Sequence, residues 1–218
     1  DNQIMLGNKG YFLKELASFG FRVPPGFILT TEIFRGYDAV VGYKYIFKDL
    51  TIRINDEIVK LEKISGCKFG DPRNPLLLSV RSGATISLPG MMNSFLNVGI
   101  NEKIVEGMVQ TEEHKWAAWD SYRRLIQTWG MFQGLERNIF DELMISFKNR
   151  YEVKKKIQFD PGQMRLMALS YKEAMERRGI KIAEDPYQQL QHAIMEVFAS
   201  WNSEQARIFR HQMHLSDE

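Results

Sequence analysis

Residues 76–100 read LLLSVRSGATISLPGMMNSFLNVGI, and this stretch decides the fold prediction. Its first part, residues 76–80, is short, apolar and preceded by Pro75, which is typical of a buried strand. Residues 95–98 resume the strand pattern before Gly99, after a polar loop that contains a Pro-Gly turn signal. We therefore predict two strands joined by a loop, and we expect a ligand to bind at that loop.

The loop begins with an arginine and contains two glycines. Arg81 carries a permanently charged planar fork that suits phosphate oxygens, and Gly83 and Gly90 let the backbone approach a ligand closely. A structural ion pair is the commoner role of an arginine after a buried strand. The residues of this stretch leave both interpretations open.

The beginning of the chain holds two further glycine-containing segments, LGNKG at residues 6–10 and VPPGFILTT at residues 23–31. Lys9 has accessible backbone on both sides and a flexible ammonium that could reach a phosphate, although most lysines beside glycines are solvated surface residues. The two prolines stiffen the second segment, and we expect residues 27–29 to form a core strand.

These segments, in this order, resemble the nucleotide-binding signature of pyruvate phosphate dikinases and their phosphoenolpyruvate-synthesising relatives. The resemblance is strongest in SVRSGA and SLPGMMNSFLNVGI, and it extends more loosely to residues 119–126 and 197–203. It departs from the family at Asn8, where many members have glycine. It departs again at Asn93 and Ser94, where many have an acidic residue and threonine.

The resemblance implies a partial ATP-grasp nucleotide-binding domain with a largely helical second half. Lys9 and Arg81 match the phosphate-contacting lysine and arginine of the family. A covering loop over the nucleotide is matched by Ser82, Gly83, Gly90, Met91 and Met92. No catalytic residue and no metal ligand is assigned within this chain.

The implied reaction is phosphoryl transfer from ATP to a histidine on another domain of the same longer protein, and then to pyruvate. Magnesium is expected as a cofactor with ligands outside this chain, so the chain alone is expected to be inactive. Two alternatives stay open. One is a phosphoenolpyruvate synthase, which uses water in place of phosphate, and the other is a non-catalytic binding or regulatory module of the same fold.

Composition fits a globular protein. The 218 residues are 44% hydrophobic and 26% charged, with a formal net charge of +2, which gives no strong case for nucleic acid or a membrane as partner. The single cysteine, Cys67, fits a reducing compartment, and we expect a cytoplasmic protein. The oligomeric state is left open, with a homodimer as one alternative.

The predicted fold class is α+β. We predict a mixed N-terminal lobe at residues 1–105 and a helical subdomain or insertion at residues 106–218, before a second lobe. A short helix is expected at residues 11–17. A longer one is indicated by four apolar residues on one helical face, with Gly66 as its terminator. These residues are Leu50, Ile54, Ile58 and Leu61.

Helical spacing dominates the second half. An aromatic stripe runs from Trp116 to Trp129, and we expect it to be core packing and not a base-stacking surface. Asp160 and Asp185 each precede a proline and have a glutamine three positions later, which predicts two capped helices that run to about residues 178 and 201.

The basic run at residues 154–156 and the histidines are not assigned to a functional site. The basic run at residues 154–156 is expected to be a solvated linker. None of the four histidines is assigned as a phosphate acceptor, and His211 with His214 makes a poor metal site without a carboxylate or cysteine partner.

Overall fold

The computed structural model describes residues 2–82, 94–108 and 112–212. The described strands are β1 Lys68–Phe69, β2 Pro75–Leu76, β3 Leu78–Arg81 and β4 Ser94–Val98. The described helices are α1 Asn2–Ser18, α2 Thr31–Arg35, α3 Tyr37–Gly42, α4 Lys44–Ser65, α5 Glu102–Gly107, α6 Glu112–Phe132, α7 Arg137–Arg150, α8 Pro161–Glu176, α9 Pro186–Trp201 and α10 Glu204–Gln212, with a 3₁₀ turn at Lys156–Gln158. This mixture of helices and small sheets is compatible with the predicted α+β class.

The chain forms two compact units, each assembled from several segments. The N-terminal unit contains Asp1–Gly66, Arg81–Ser94 and Ile194–Glu218. The helical unit contains Cys67–Val80 and Phe95–Ala193. The division that we predicted between residues 105 and 106 was based on secondary-structure pattern, and it stays a prediction.

The strands form two small sheets. β1 pairs with β2 in parallel, with Phe69 opposite Leu76, and β3 pairs with β4. The predicted strand at residues 76–80 is present but interrupted, because Leu77 separates the two sheets. The predicted strand at residues 95–98 is confirmed in β4, where Phe95 and Val98 are fully buried.

Helix α4 confirms the predicted amphipathic helix. Its buried residues are the four predicted from their spacing, namely Leu50, Ile54, Ile58 and Leu61. Gly66 ends the helix in the left-handed conformation, with φ at 70°, and its N–H donates to the carbonyl of Glu62. A glycine is favoured there because a side chain strains this backbone conformation.

Residues 27–29 do not form the strand that we predicted. The described chain has no regular structure between residues 21 and 30. Pro24 and Pro25 have no N–H to donate to a sheet, and apolar residues form a strand only where a partner strand is available. The segment packs through side chains instead: a Cβ placed on Gly10 of α1 would lie 2.8 Å from Cδ1 of Ile28.

The core of the helical unit is built around α6 and α8. Trp119, Tyr122, Ile126 and Trp129 are buried, so the aromatic stripe is core as predicted, with Trp116 half-buried at its start. The hydroxyl of Tyr171 on α8 donates to the carbonyl of Phe140, at 2.7 Å. The Tyr171 ring is therefore buried while its hydroxyl keeps a hydrogen-bond partner, as a buried polar group requires.

Both capped helices are confirmed. The Asp160 carboxylate accepts from the N–H of Gln163, whose side chain accepts in turn from the N–H of Asp160. Asp185 accepts more weakly from the N–H of Gln188, at 3.4 Å. In the described part of the chain, no helix is long and apolar enough to cross a membrane.

Candidate functional site

Lys9 lies just after a kink in helix α1. Gly7 has φ at 67° and ψ at 167°, outside the helical region, so the helix restarts immediately before Lys9. The first N–H groups of a helical segment lack intrahelical acceptors and favour nearby anions. The Lys9 side chain is exposed and makes no ion pair within the described residues. The predicted phosphate-contacting lysine is therefore accessible.

The backbone around Lys9 is held in place by packing. Gly10 is buried, and a Cβ at this position would lie 2.8 Å from Ile28 Cδ1, so the Ile28 side chain would have to shift to admit one. The hydroxyl of Thr31 donates to the carbonyl of Ile4, at 3.1 Å, which ties the start of α2 to the other side of the kink. These contacts fix the turn from which Lys9 extends.

Arg81 is the last residue of β3, and its side chain is exposed. Among residues 2–82, 94–108 and 112–212 it has no carboxylate partner, so the structural ion pair that we considered is not found there. Ser82 follows it and is only 5% exposed. Lys9, Arg81 and Ser82 all belong to the N-terminal unit.

The other predicted site residues fall outside the described part of the chain. These are Gly83, Gly90, Met91 and Met92. Within the described residues there is no group of three or more His, Cys, Asp and Glu side chains that could hold a metal ion. His211 lies at the end of α10, and His214 is outside the described residues.

The helical unit holds a charge group centred on a buried carboxylate, which we call the Asp120 cluster and which is formed by Asp120, Arg123, Arg124 and Lys156. One carboxylate oxygen accepts from Arg123 at 2.8 Å, and the other accepts from Arg124 at 3.0 Å and Lys156 at 2.7 Å. Asp120 is 3% exposed as a side chain. Burial alone would raise the pKa of this carboxyl, but the hydrogen bond from Lys156 and the charge of Arg123 outweigh burial and lower the pKa.

Lys156 corrects the prediction that residues 154–156 form a solvated linker. Its ammonium lies 2.7 Å from the Asp120 carboxylate and 5.3 Å from the centre of the Trp116 ring. The other members of the cluster have a sequence signal, because Asp120 is followed by arginines three and four positions later, which places all three on one helical face. No local signal connects Lys156 to them.

A second charge group, partly exposed, joins Lys172 of α8 to Glu102 of α5 and to Glu184 in the connection between α8 and α9. Lys172 donates to Glu102 at 2.7 Å and to Glu184 at 2.9 Å. Burial would lower the pKa of Lys172, but these two hydrogen bonds outweigh it and raise the pKa. Burial also raises the pKa of the neighbouring Tyr122 hydroxyl.

Gln189 on α9 fixes the turn that follows β4. Its side chain is fully buried, and its Oε1 accepts from the N–H of Gly99, at 3.0 Å. Its Nε2 donates to the carbonyls of Ile100 and Ala183, at 3.1 and 2.8 Å. Gln189 could not be predicted from the sequence, because one glutamine in a helical pattern carries no local signal of such contacts.

These observations define a class: a largely helical chain with small sheets, whose N-terminal unit exposes Lys9 and Arg81 and whose helical unit pairs Asp120 and Lys172 with opposite charges. Residues 44–218 match the family described as pyruvate phosphate dikinase, AMP/ATP-binding domain, and the chain belongs to this family. Arg81 and Ser82 fall within the matched range, whereas Lys9 precedes it.

Similar proteins carry the same family name. The chloroplastic pyruvate, phosphate dikinase of Mesembryanthemum crystallinum is 38% identical over 212 residues, which cover 94% of this chain and 22% of that protein. The pyruvate, phosphate dikinase of Rhizobium meliloti is 36% identical over 208 residues, which cover 94% and 23%. The chain therefore spans less than a quarter of the length of these relatives.

Proposed function

We propose that this chain is the N-terminal ATP-binding portion of a pyruvate phosphate dikinase-like phosphotransferase. One observation carries the proposal. The chain belongs to this family and exposes Lys9 and Arg81 in one compact unit, and neither side chain is paired to a carboxylate in the described residues. An exposed cation that has no internal partner is free to bind an anionic ligand.

In this proposal Lys9 and Arg81 bind the phosphates of ATP. The N–H groups after the Gly7 kink favour the same negative charge, and a guanidinium can hold two phosphate oxygens at once. Ser82, Gly83, Gly90, Met91 and Met92 form the segment that covers the nucleotide. We further propose an ATP-grasp fold whose second lobe lies outside this chain.

The remaining parts of the reaction are assigned to other domains of a longer protein. The phosphoryl group would pass from ATP to a histidine on one domain and from there to pyruvate on another. Bound magnesium would supply charge neutralisation at the phosphates. Its ligands are proposed to lie in the part of the longer protein outside this chain. A homodimer is a further proposal.

The proposed compartment is the cytoplasm. The single cysteine supports a reducing environment. The names of the relatives do not give one common location. The protein of Mesembryanthemum crystallinum is called chloroplastic, and the protein of Rhizobium meliloti is not.

The proposal is tested by the products that the full natural polypeptide carrying residues 1–218 forms from ATP and pyruvate. We expect phosphoenolpyruvate, AMP and pyrophosphate, with turnover that requires inorganic phosphate. Turnover that is independent of added phosphate and yields no pyrophosphate would favour the phosphoenolpyruvate synthase alternative. No turnover together with tight ATP binding would favour the binding or regulatory module.

The same assay is run on Lys9→Ala, with Lys14→Ala as the matched control on the same helix. Both side chains are exposed, so both substitutions remove one surface charge from α1. We expect only Lys9→Ala to lower turnover, because only Lys9 lies in the first turn after the kink. Equal turnover by the two variants would contradict the assigned role of Lys9.

A further inference from the structure

Asn97 has an unusual backbone conformation inside strand β4. Its φ is 60°, in the left-handed region that non-glycine residues enter rarely and that asparagine tolerates better than most. Such a conformation persists only where the surroundings hold it, and it is found often at functional sites. The other positive-φ residue that is not glycine in the described chain is Glu152, which follows helix α7.

The side chain of Asn97 connects β4 to α6. Its Nδ2 donates to the carbonyl of Ser121, at 3.2 Å. A carbonyl oxygen has two lone pairs, so Ser121 can accept this bond in addition to a bond within its helix. The carboxamide therefore holds the backbone of β4 against α6.

The residues on either side of Asn97 are also anchored. The Phe95 ring stacks on Phe132, with 4.1 Å between ring centres, and the N–H of Gly99 donates to Gln189. A Cβ on Gly99 would lie 2.5 Å from the Phe69 ring. Three alternate positions of one chain segment are thus fixed by side-chain packing and hydrogen bonds, and Asn97 is the central one.

Strand β4 in turn supports the strand that carries Arg81. In the described part of the chain, β4 is the sheet partner of β3, and Arg81 is the last residue of β3. Because β3 and β4 are hydrogen-bonded neighbours, the path of β4 bears on the path of β3, at whose end Arg81 lies.

We propose that Asn97 is a positioning residue that sets, through the pairing of β4 with β3, where Arg81 meets the phosphates of ATP. This inference rests on the proposed function, because it assigns Asn97 a role in nucleotide binding through Arg81. Asn97 does not itself touch the nucleotide. Its left-handed backbone and its hydrogen bond to Ser121 together fix the strand path.

The test is a double-mutant cycle for ATP affinity in the full natural polypeptide, with Asn97→Gly and Arg81→Ala made separately and together. Glycine accepts φ of 60° and removes only the hydrogen bond to Ser121. We expect Asn97→Gly to weaken ATP binding by a smaller factor than Arg81→Ala does, because Asn97 acts only through the position of Arg81. In the Arg81→Ala background the same substitution should have almost no further effect.

Glu152→Gly is the matched control. It also places glycine at a positive-φ position of the helical unit, but Glu152 lies away from β4 in the chain and is exposed. It should leave ATP affinity unchanged in both backgrounds. If Asn97→Gly does not fold, as judged by circular dichroism, Asn97→Asp replaces it, because aspartate tolerates the same backbone and cannot donate to Ser121.

Two outcomes overturn the inference. The first is that Asn97→Gly causes the same loss of affinity with and without Arg81, or causes no loss. This outcome removes the role of Asn97 and leaves the proposed role of Arg81 intact. No loss from Arg81→Ala alone overturns the phosphate site at Arg81 and the positioning role with it. The two failures are therefore distinguishable.

Discussion

The two units of the chain use charge differently. In the helical unit, Asp120 and Lys172 are largely withdrawn from solvent and each binds at least two oppositely charged partners. In the N-terminal unit, Lys9 and Arg81 are exposed and have no carboxylate partner in the described residues. Asp120 and Lys172 therefore join elements within the helical unit, whereas Lys9 and Arg81 are available to a ligand.

The units also differ in their apolar surface. The N-terminal unit leaves large side chains exposed along and after α1, with Phe12 at 56%, Phe19 at 75% and Phe21 at 63%. In the helical unit, the α6 and α8 rings Trp119, Tyr122 and Tyr171 are each less than 5% exposed. Apolar burial therefore stabilises the helical unit more completely.

The largest expected effect of a single substitution is at Asp120. Asp120→Ala leaves the buried Arg123 without its carboxylate, and we expect the free energy of unfolding to fall by about 3–5 kcal/mol. The control in the N-terminal unit is Asp49→Ala, which removes an exposed pair with Arg53 and should cost less than about 1 kcal/mol. Urea unfolding measures both. Equal losses would break the distinction between the two units.

Acidification should weaken the same cluster. The pKa of Asp120 is lowered in the folded protein, so its ionised form contributes stability above the ordinary aspartate pKa of about 3.9, and this contribution is lost as pH falls through the lowered value. We expect the stability advantage of the parent over Asp120→Asn to be constant near neutral pH and to shrink below about pH 4. An advantage that grows on acidification would contradict the assigned shift.

A smaller effect is expected at Gln189. Gln189→Leu leaves the N–H of Gly99 without its acceptor, and we expect this unsatisfied donor to cost about 1–3 kcal/mol. The control is Gln188→Leu on the same helix, where the side chain is exposed. Thermal unfolding should separate the two variants, and identical melting temperatures would show that the Gln189 contacts do not stabilise the turn after β4.

The smallest effect on the free energy of unfolding is expected at Asp160, the N-cap of α8. Asp160→Ala removes the cap of α8 and should cost about 1 kcal/mol. Asp141→Ala, which removes an exposed ion pair with Arg137, is the comparison within the same unit and should cost less. Chemical denaturation measures both, and a larger loss from Asp141→Ala would contradict the capping assignment.

Local patterns in the sequence predicted the elements that depend on local physics. The buried face of α4, its end at Gly66 and the Asp160 cap follow from spacing and backbone preference, and the structure confirms them. The prediction of a strand at residues 27–29 was wrong. A strand needs a partner strand, and an apolar run does not show whether a partner is available. Lys156 was misassigned for a similar reason, since Asp120 is distant in sequence.

The candidate site was predictable to a different extent. The exposure of Lys9 and Arg81 agrees with side chains that serve a ligand, and the residues around them carried the family resemblance that the comparison confirmed. The Gly7 kink and the contacts of Asn97 and Gln189 could not be predicted, because they arise from packing between distant segments. The roles of Lys9, Arg81 and Ser82 stay predictions.

Phosphate binding by Lys9 and Arg81 is tested by a calorimetric titration of the full natural polypeptide with magnesium-ATP, on the parent, Lys9→Ala and Arg81→Ala. Lys14→Ala and Arg73→Ala are the controls, because both remove an exposed cation from a residue without an assigned role. We expect each site variant to fold and to bind ATP at least about tenfold more weakly than the parent, the loss that a charged hydrogen bond implies. Parental affinity in both folded site variants would contradict the account.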